Sequence, residues 1–176
     1  MLLKTVGEPA MIKEISFIQV IPNETHMLNL GRKLASVFKN AMDYDVFKTR
    51  VMFLHGQLGA GKTTITRGFL NYLGYKGHVR SPTYALVEEY RLSNGKVFHF
   101  DFYRLHDSIE LEQMGIQDYF SPDAMCLIEW PEVGEKILPV PDLHCFIEMI
   151  EKGRRVELIA NTPLGKKMLE RLQNEE

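Results

Sequence analysis

The sequence is short of the features that would quickly suggest a class. It has two cysteines in 176 residues, Cys126 and Cys145, both inside apolar runs and without a C-x-x-C spacing. Neither a disulfide framework nor a cysteine metal knot is expected, and both thiols read as small buried hydrophobes. No stretch free of Asp, Glu, Lys and Arg exceeds the eleven residues from Val51 to Gly61, well short of the roughly 18 that a membrane-spanning helix needs. Charge of one sign is also missing: 21 Lys and Arg against 23 Asp and Glu leave −2, with a sequence pI of about 6.3. No basic field is available to hold nucleic acid unaided, so any such role is expected to run through a partner. Met1-Leu2-Leu3-Lys4 runs into Gly7, Glu8 and Pro9 rather than an apolar core with a small-residue cleavage site, so a cytoplasmic address is expected. The six histidines show no pairing at metal-ligand spacing, and each reads as structural or exposed rather than as a zinc ligand. His99 stands apart only because it precedes Asp101 by two residues on the same face of a strand.

What remains is the composition of an ordinary globular domain, 45% hydrophobic and 25% charged at 20.3 kDa. A chain of this size buries roughly 70% of its unfolded surface, so one domain over 1–176 is expected, with 1–13 as an extension and 163–176 as a C-terminal helix. Ile15–Ile21 reads as a strand, Pro22-Asn23-Glu24-Thr25 as a cap, and Met27, Leu30, Leu34 and Phe38 as the apolar stripe of a helix. After a connection from Met42 to Lys48, Val51–Leu54 has the continuous apolar character of a central buried strand. Ile65, Phe69, Leu70 and Leu73, closed by Gly74, predict a second helix starting at Lys62. Tyr84–Arg91 and Val97–Phe102, joined through Asn94-Gly95, predict a hairpin. Asp107-Ser108-Ile109-Glu110 has the form of a capping box before a short helix. Ala124–Glu129 reads as another buried strand, and Leu143–Ile150 with Val156–Ile159 as a second hairpin around Glu151–Arg155. The sum is an α/β domain with a mixed sheet.

Gly56-Gln57-Leu58-Gly59-Ala60-Gly61-Lys62-Thr63 fits G-x-x-x-x-G-K-[ST] between an apolar strand and an amphipathic helix, the context that a phosphate-binding loop requires. At average residue frequencies a chain of this length matches by chance in under about one percent of cases, so phosphate binding is the reading the sequence carries. Glycines let the backbone close into a nest of N–H donors and the helix adds its positive end. Lys62 is expected to reach the β- and γ-phosphates and the Thr63 hydroxyl to ligate Mg²⁺. The carboxylate that such chemistry needs to hold the metal or its water has two candidates at strand ends, Asp101 after Val97–Phe100 and Glu129 after Cys126–Ile128, with Trp130 next to Glu129. Arg80-Ser81-Pro82-Thr83 lies where a hydroxyl could respond to the γ-phosphate. No N-K-x-D guanine signature occurs, which favours ATP. A small-molecule kinase is disfavoured, because about 55 residues precede the loop and no arginine-dense lid is evident among the nine arginines. A module that uses ATP only as a conformational ligand stays open beside a hydrolase.

Four ordered segments, GQLGAGKTT at Gly56–Thr64, RSPTYALVEEY at Arg80–Tyr90, HFDFYRL at His99–Leu105 and LIEWPE at Leu127–Glu132, resemble the TsaE (YjeE) family, the small ATPases of bacterial tRNA threonylcarbamoyladenosine synthesis, across about 15–138. The resemblance implies a P-loop NTPase-like three-layer fold with a mixed, mainly parallel sheet. It also implies Mg²⁺-dependent ATP hydrolysis in support of the partner proteins TsaB and TsaD. TsaD would transfer the threonylcarbamoyl group to the adenosine beside the anticodon, and this chain would meet tRNA only indirectly. Residue by residue, it implies that Gly56, Gly59, Ala60, Gly61, Lys62, Thr63 and Thr64 hold the phosphates. Thr63 and Glu129 would hold Mg²⁺, Asp101 would belong to the hydrolytic machinery, Thr83 would sit in a switch loop, Trp130 would lie beside the nucleotide, and Glu24 and Thr25 would lie near the base. One departure is visible: members often carry an acidic residue after the first loop glycine, where this chain has Gln57.

Overall fold

The apolar residues fall at two periods, and the elements follow them. The computed structural model describes residues 16–41, 48–93 and 95–174, so the expected 1–13 extension and positions 42–47 of the first connection lie outside the described residues. The elements are β1 (Ser16–Ile21), α1 (Glu24–Asn40), β2 (Arg50–His55), α2 (Lys62–Tyr72), β3 (Val87–Leu92), β4 (Gly95–Asp101), α3 (Ser108–Gln113), β5 (Ala124–Glu129), β6 (Leu143–Ile150), β7 (Gly153–Ala160) and α4 (Pro163–Asn174). The strands form one sheet in the order β1-β7-β6-β2-β5-β4-β3. The inner four, β6-β2-β5-β4, run parallel, and antiparallel pairs extend the sheet at both sides. β5 is buried at every position and β2 at all but His55, which is why both read as unbroken apolar runs.

Three layers result. α1, α2 and α4 cover one face, where Leu34, Phe38, Phe69 and Leu169 meet Met52, Leu54 and Leu127 of the sheet. On the other face Leu111 of α3 and Ile116 of a 3-10 turn pack on Phe53, Phe100 and Ile128. Each large apolar side chain so buried contributes about 1.5–3 kcal/mol relative to exposure. α1 and α2 cross at Gly31 and Gly68, where a Cβ on either would run into the other helix's backbone, at the Ile65 and Leu28 carbonyl oxygens respectively. That close crossing fixes the start of α2.

The caps lie where the sequence predicts them. Asn23 Oδ1 accepts from the His26 N–H at 3.2 Å. Asp107 Oδ1 accepts from the Ile109 and Glu110 N–H groups, and Glu110 Oε1 reaches back to the His106 N–H at 3.1 Å. Both cysteines are buried in the core; burial pushes the Cys145 thiol up to about 12 and raises that of Cys126 as well.

Two strands start three residues away from where they are expected. The strand predicted from Tyr84 starts at Val87, because the Leu86 N–H closes a turn onto the Pro82 carbonyl at 2.7 Å and Leu86 takes φ 65°. β7 begins at Gly153 rather than Val156, so Arg154 and Arg155 lie in the ladder, paired with Ile21 and Val20 of β1. The 151–152 turn is tight because Gly153 adopts φ +102° where it passes the Ile21 carbonyl.

Candidate phosphate-binding site

The loop between β2 and α2 is shaped by three glycines in the left-handed region, Gly56 (φ +143°), Gly59 (φ +77°) and Gly61 (φ +115°), conformations that L side chains rarely adopt. Gly61 caps α2 without any side-chain acceptor. The first amides of the helix are therefore offered outward with the positive end of its dipole, the arrangement that favours an anion. Lys62 is only 4% exposed and curls back over the loop, its Nζ donating to the Gly56 and Gln57 carbonyls at 2.7 and 3.1 Å. The same ammonium stands 4.3 Å from the centre of the Trp130 ring. Burial pulls its pKa below the usual lysine value, against the opposing pull of Glu129 and Asp101.

The sheet brings the acids to this loop. Asp101 and Glu129 end the adjacent parallel strands β4 and β5 in direct register, at the carboxyl edge where open α/β sheets bind ligands. Glu129 Oε1 accepts from Thr63 Oγ1 at 2.9 Å and from His99 Nε2 at 2.9 Å. Because the carboxylate only accepts, the His99 proton sits on Nε2, and Nδ1 is left buried without a partner among the described residues. Asp101 Oδ2 accepts from Thr83 Oγ1 at 2.8 Å and from Ser81 Oγ, and Oδ1 from the Tyr103 N–H at 3.0 Å. Trp130 sits at φ 57°, a backbone conformation that costs a non-glycine residue about 1–3 kcal/mol and that clusters at functional sites.

Two of the clefts beside the loop share Gly59, Gly61 and Thr64. One, of about 230 Å³, is lined by Lys62, Thr63, Thr83, Asp101, Glu129 and Trp130, among others. The other, of about 300 Å³, lies between the loop, Glu24 and Met27 at the start of α1, and Arg154. Glu24 is ion-paired with Arg67 at 2.9 Å. Thr25 is exposed and does not line the cleft. Gln57 is exposed and supplies its carbonyl, rather than its side chain, to Lys62.

The structure adds residues that the sequence did not single out as site groups. Ser81 joins Thr83 on Asp101, and its Ser-Pro-Thr setting was the available signal. His99 grips Glu129 from the strand face already noted. Arg154 reaches the loop from the start of β7, with no sequence signal beyond its charge. His55 and His144 share a hydrogen bond at 3.0 Å across β2 and β6, and His55 Nδ1 donates to Glu132 Oε1 at 2.7 Å. Among the described residues no group of three or more His, Cys, Asp and Glu side chains is arranged to hold a metal ion on its own, and no helix is long and apolar enough to cross a membrane.

The chain is similar to known proteins of one family. Residues 21–156 match the family described as threonylcarbamoyl adenosine biosynthesis protein TsaE. The chain is 47% identical over 159 residues to the tRNA threonylcarbamoyladenosine biosynthesis protein TsaE of Haemophilus influenzae, covering 90% of this chain and 99% of that one. It is 37% identical over 128 residues to the Bacillus subtilis protein of the same name, 73% of each. A crystal structure of Bacillus subtilis YdiB superposes with a TM-score of 0.71 at 27% identity, over 95% of this chain and 99% of that one. With the family matched across most of its length and the strand–loop–helix geometry in place, the chain belongs to the TsaE family.

Proposed function

We propose that this chain is a single-domain Mg²⁺-dependent ATPase that serves tRNA threonylcarbamoyladenosine synthesis by acting on TsaB and TsaD. The observation that carries the reading is the convergence, beside one glycine loop, of Lys62, the Thr63–Glu129 pair at 2.9 Å and the register-matched Asp101. The names of the relatives supply the pathway. The donor set fits Mg²⁺: the Thr63 hydroxyl and Glu129 carboxylate are hard oxygen ligands, few enough to leave waters in place. When bound, the ion neutralises charge on the β- and γ-phosphate oxygens.

The protein's own groups do the rest. The loop amides and the α2 terminus bind the phosphates, and Lys62 swings from the Gly56 carbonyl onto the γ-phosphate, offsetting the charge that grows as the bond to the bridging oxygen breaks. Asp101 orders the 81–83 segment and the attacking water, whose oxygen bonds to the γ-phosphorus as ADP departs. Trp130 shields the ammonium of Lys62 from solvent, and the cleft beside Glu24 and Met27 takes the base. With a net charge of −2, the chain meets tRNA through its partners.

The test that separates a hydrolase from a module gated by bound ATP is tRNA modification by the reconstituted proteins with a non-hydrolysable ATP analogue. An ATPase supports one round and then stalls, whereas a gated module keeps cycling. Transfer of labelled γ-phosphate to a metabolite instead of water would make the chain a kinase.

A further inference from the structure

We infer that His55 is a positioning residue: through Glu132 it fastens the turn after β5 to the start of the glycine loop, and so holds the Trp130 ring beside Lys62. Its value for turnover rests on the nucleotide reading above, whereas the contact itself does not. His55 is the last residue of β2 and stands immediately before Gly56. Its ring is pinned from two sides. It stacks on Phe146 of β6 with centroids 4.4 Å apart and planes at 14°, and its Nε2 meets His144 Nδ1 at 3.0 Å. A carboxylate only accepts, so in the neutral ring Nδ1 carries the proton donated to Glu132 Oε1 at 2.7 Å, and Nε2 is left to accept from His144.

Trp130 needs such a fastening. At φ 57° it holds a conformation that persists only when the residues around it over-determine it. The upstream side is secured by Glu129, whose carbonyl accepts from the Phe102 N–H at 3.1 Å and whose carboxylate is held by Thr63 and His99. Downstream stands Pro131, which has no N–H to donate, so the polar hold passes to the next side chain, Glu132. An exposed ion pair holds little when both partners are free to move. Here the Glu132 side chain is 59% exposed, but that of His55 is only 16% exposed and stands on a strand between two rings. The bond therefore ties the turn to the sheet. At one end it adjoins Gly56, whose carbonyl receives Lys62 Nζ, and at the other it adjoins the turn that carries Trp130, 4.3 Å from the same ammonium. One pair thus spans the two surfaces between which Lys62 rests.

Trp130 is the only tryptophan in the chain, so intrinsic fluorescence of the nucleotide-free full-length protein reads its position directly. His55→Ala and Glu132→Ala should each shift the emission to the red and raise acrylamide quenching, because losing one charge-assisted hydrogen bond moves the balance between held and released turn about fivefold. The double variant should match either single one, since each removes the same bond. His55→Asn, whose amide N–H stands close to the place of the Nδ1–H, should keep the wild-type spectrum. Glu135→Ala should keep it too, because Glu135 closes the same turn without a hydrogen bond to His55 among the described residues. Wild-type emission and quenching in both alanine variants overturn the proposal, as do an equal change in Glu135→Ala or additive changes in the double variant. Partner-stimulated ATP hydrolysis should fall in the same two alanine variants, and a changed spectrum with wild-type turnover would overturn the positioning role. If His55→Ala does not fold, the exposed Glu132→Ala decides on the same readouts. A wild-type protein that binds no ADP contradicts the nucleotide reading and leaves the fluorescence result standing.

Discussion

Asp101 and Glu129 stand side by side at the ends of neighbouring parallel strands, yet their hydrogen-bond partners divide cleanly. Glu129 is held by the glycine-loop hydroxyl of Thr63 and by the buried His99, whereas Asp101 is held by the Ser81–Thr83 segment and the Tyr103 amide. One acid therefore belongs to the loop and the other to the segment that follows α2.

That division sets the expected behaviour of two substitutions. Glu129→Gln and Asp101→Asn should each lower the partner-stimulated turnover about a hundredfold, the scale of losing one aligned charge-stabilising or proton-handling group. ADP affinity should change far less. Steady-state kinetics beside calorimetry checks this, and equal losses in binding and turnover would make both residues structural.

His99 tests how Glu129 is aimed. His99→Ala removes the Nε2 donor and leaves a buried carboxylate oxygen short of a partner, at a cost of about 1–3 kcal/mol in stability. More specifically, it should raise the Mg²⁺ concentration needed for half-maximal turnover, which a Mg²⁺ titration at saturating ATP reads directly. An unchanged titration with lowered stability would confine His99 to the core.

The crossing of α1 and α2 predicts a packing effect that reaches the site. Gly68→Ala places a methyl group against the Leu28 carbonyl and should destabilise by about 1–3 kcal/mol, as overpacking does. Because α2 begins at Lys62, ADP binding should weaken as well. Urea unfolding of the variant gives the first quantity and calorimetry the second.

A pH dependence follows from His144. Burial first, and then the neighbouring His55, hold its pKa below the ordinary 6.5, with Glu135 pulling the other way; Glu132 faces the pair through His55. The unfolded chain therefore binds this proton more readily than the folded one. The contribution is fully present above pH 6.5, is lost as pH falls through the unfolded value, and levels off below the folded one. Urea midpoints from about pH 7.5 down to about pH 5.5 should fall more steeply for wild type than for His144→Gln. Parallel profiles would contradict the assignment.

What the sequence made legible was local. The glycine loop, the α1 stripe and the Asp107 cap are each written within a few consecutive residues, and each is found where the pattern predicts it. Asp101 and Glu129 were legible as strand ends, because apolar runs stop at them. The partners that strand order creates were not. His99 meets Glu129, and His55 meets His144, only because β4, β5, β2 and β6 lie in a particular order and register. Arg154 reaches Gly59 across 95 positions of sequence, from a segment whose composition reads only as a charged hairpin. The start of β3 was misplaced for a related reason: Tyr84, Ala85 and Leu86 follow Val- and Tyr-rich β propensity, but the Pro82–Leu86 turn overrides it.

The most direct test of the central claim is ATP hydrolysis measured with and without TsaB and TsaD, for the wild type and for Lys62→Ala. Turnover that rises when both partners are added, and that is lost in Lys62→Ala, is the predicted result. Wild-type hydrolysis by Lys62→Ala in the presence of both partners would contradict the site, and the absence of any hydrolysis by the wild-type protein under those conditions would contradict the function.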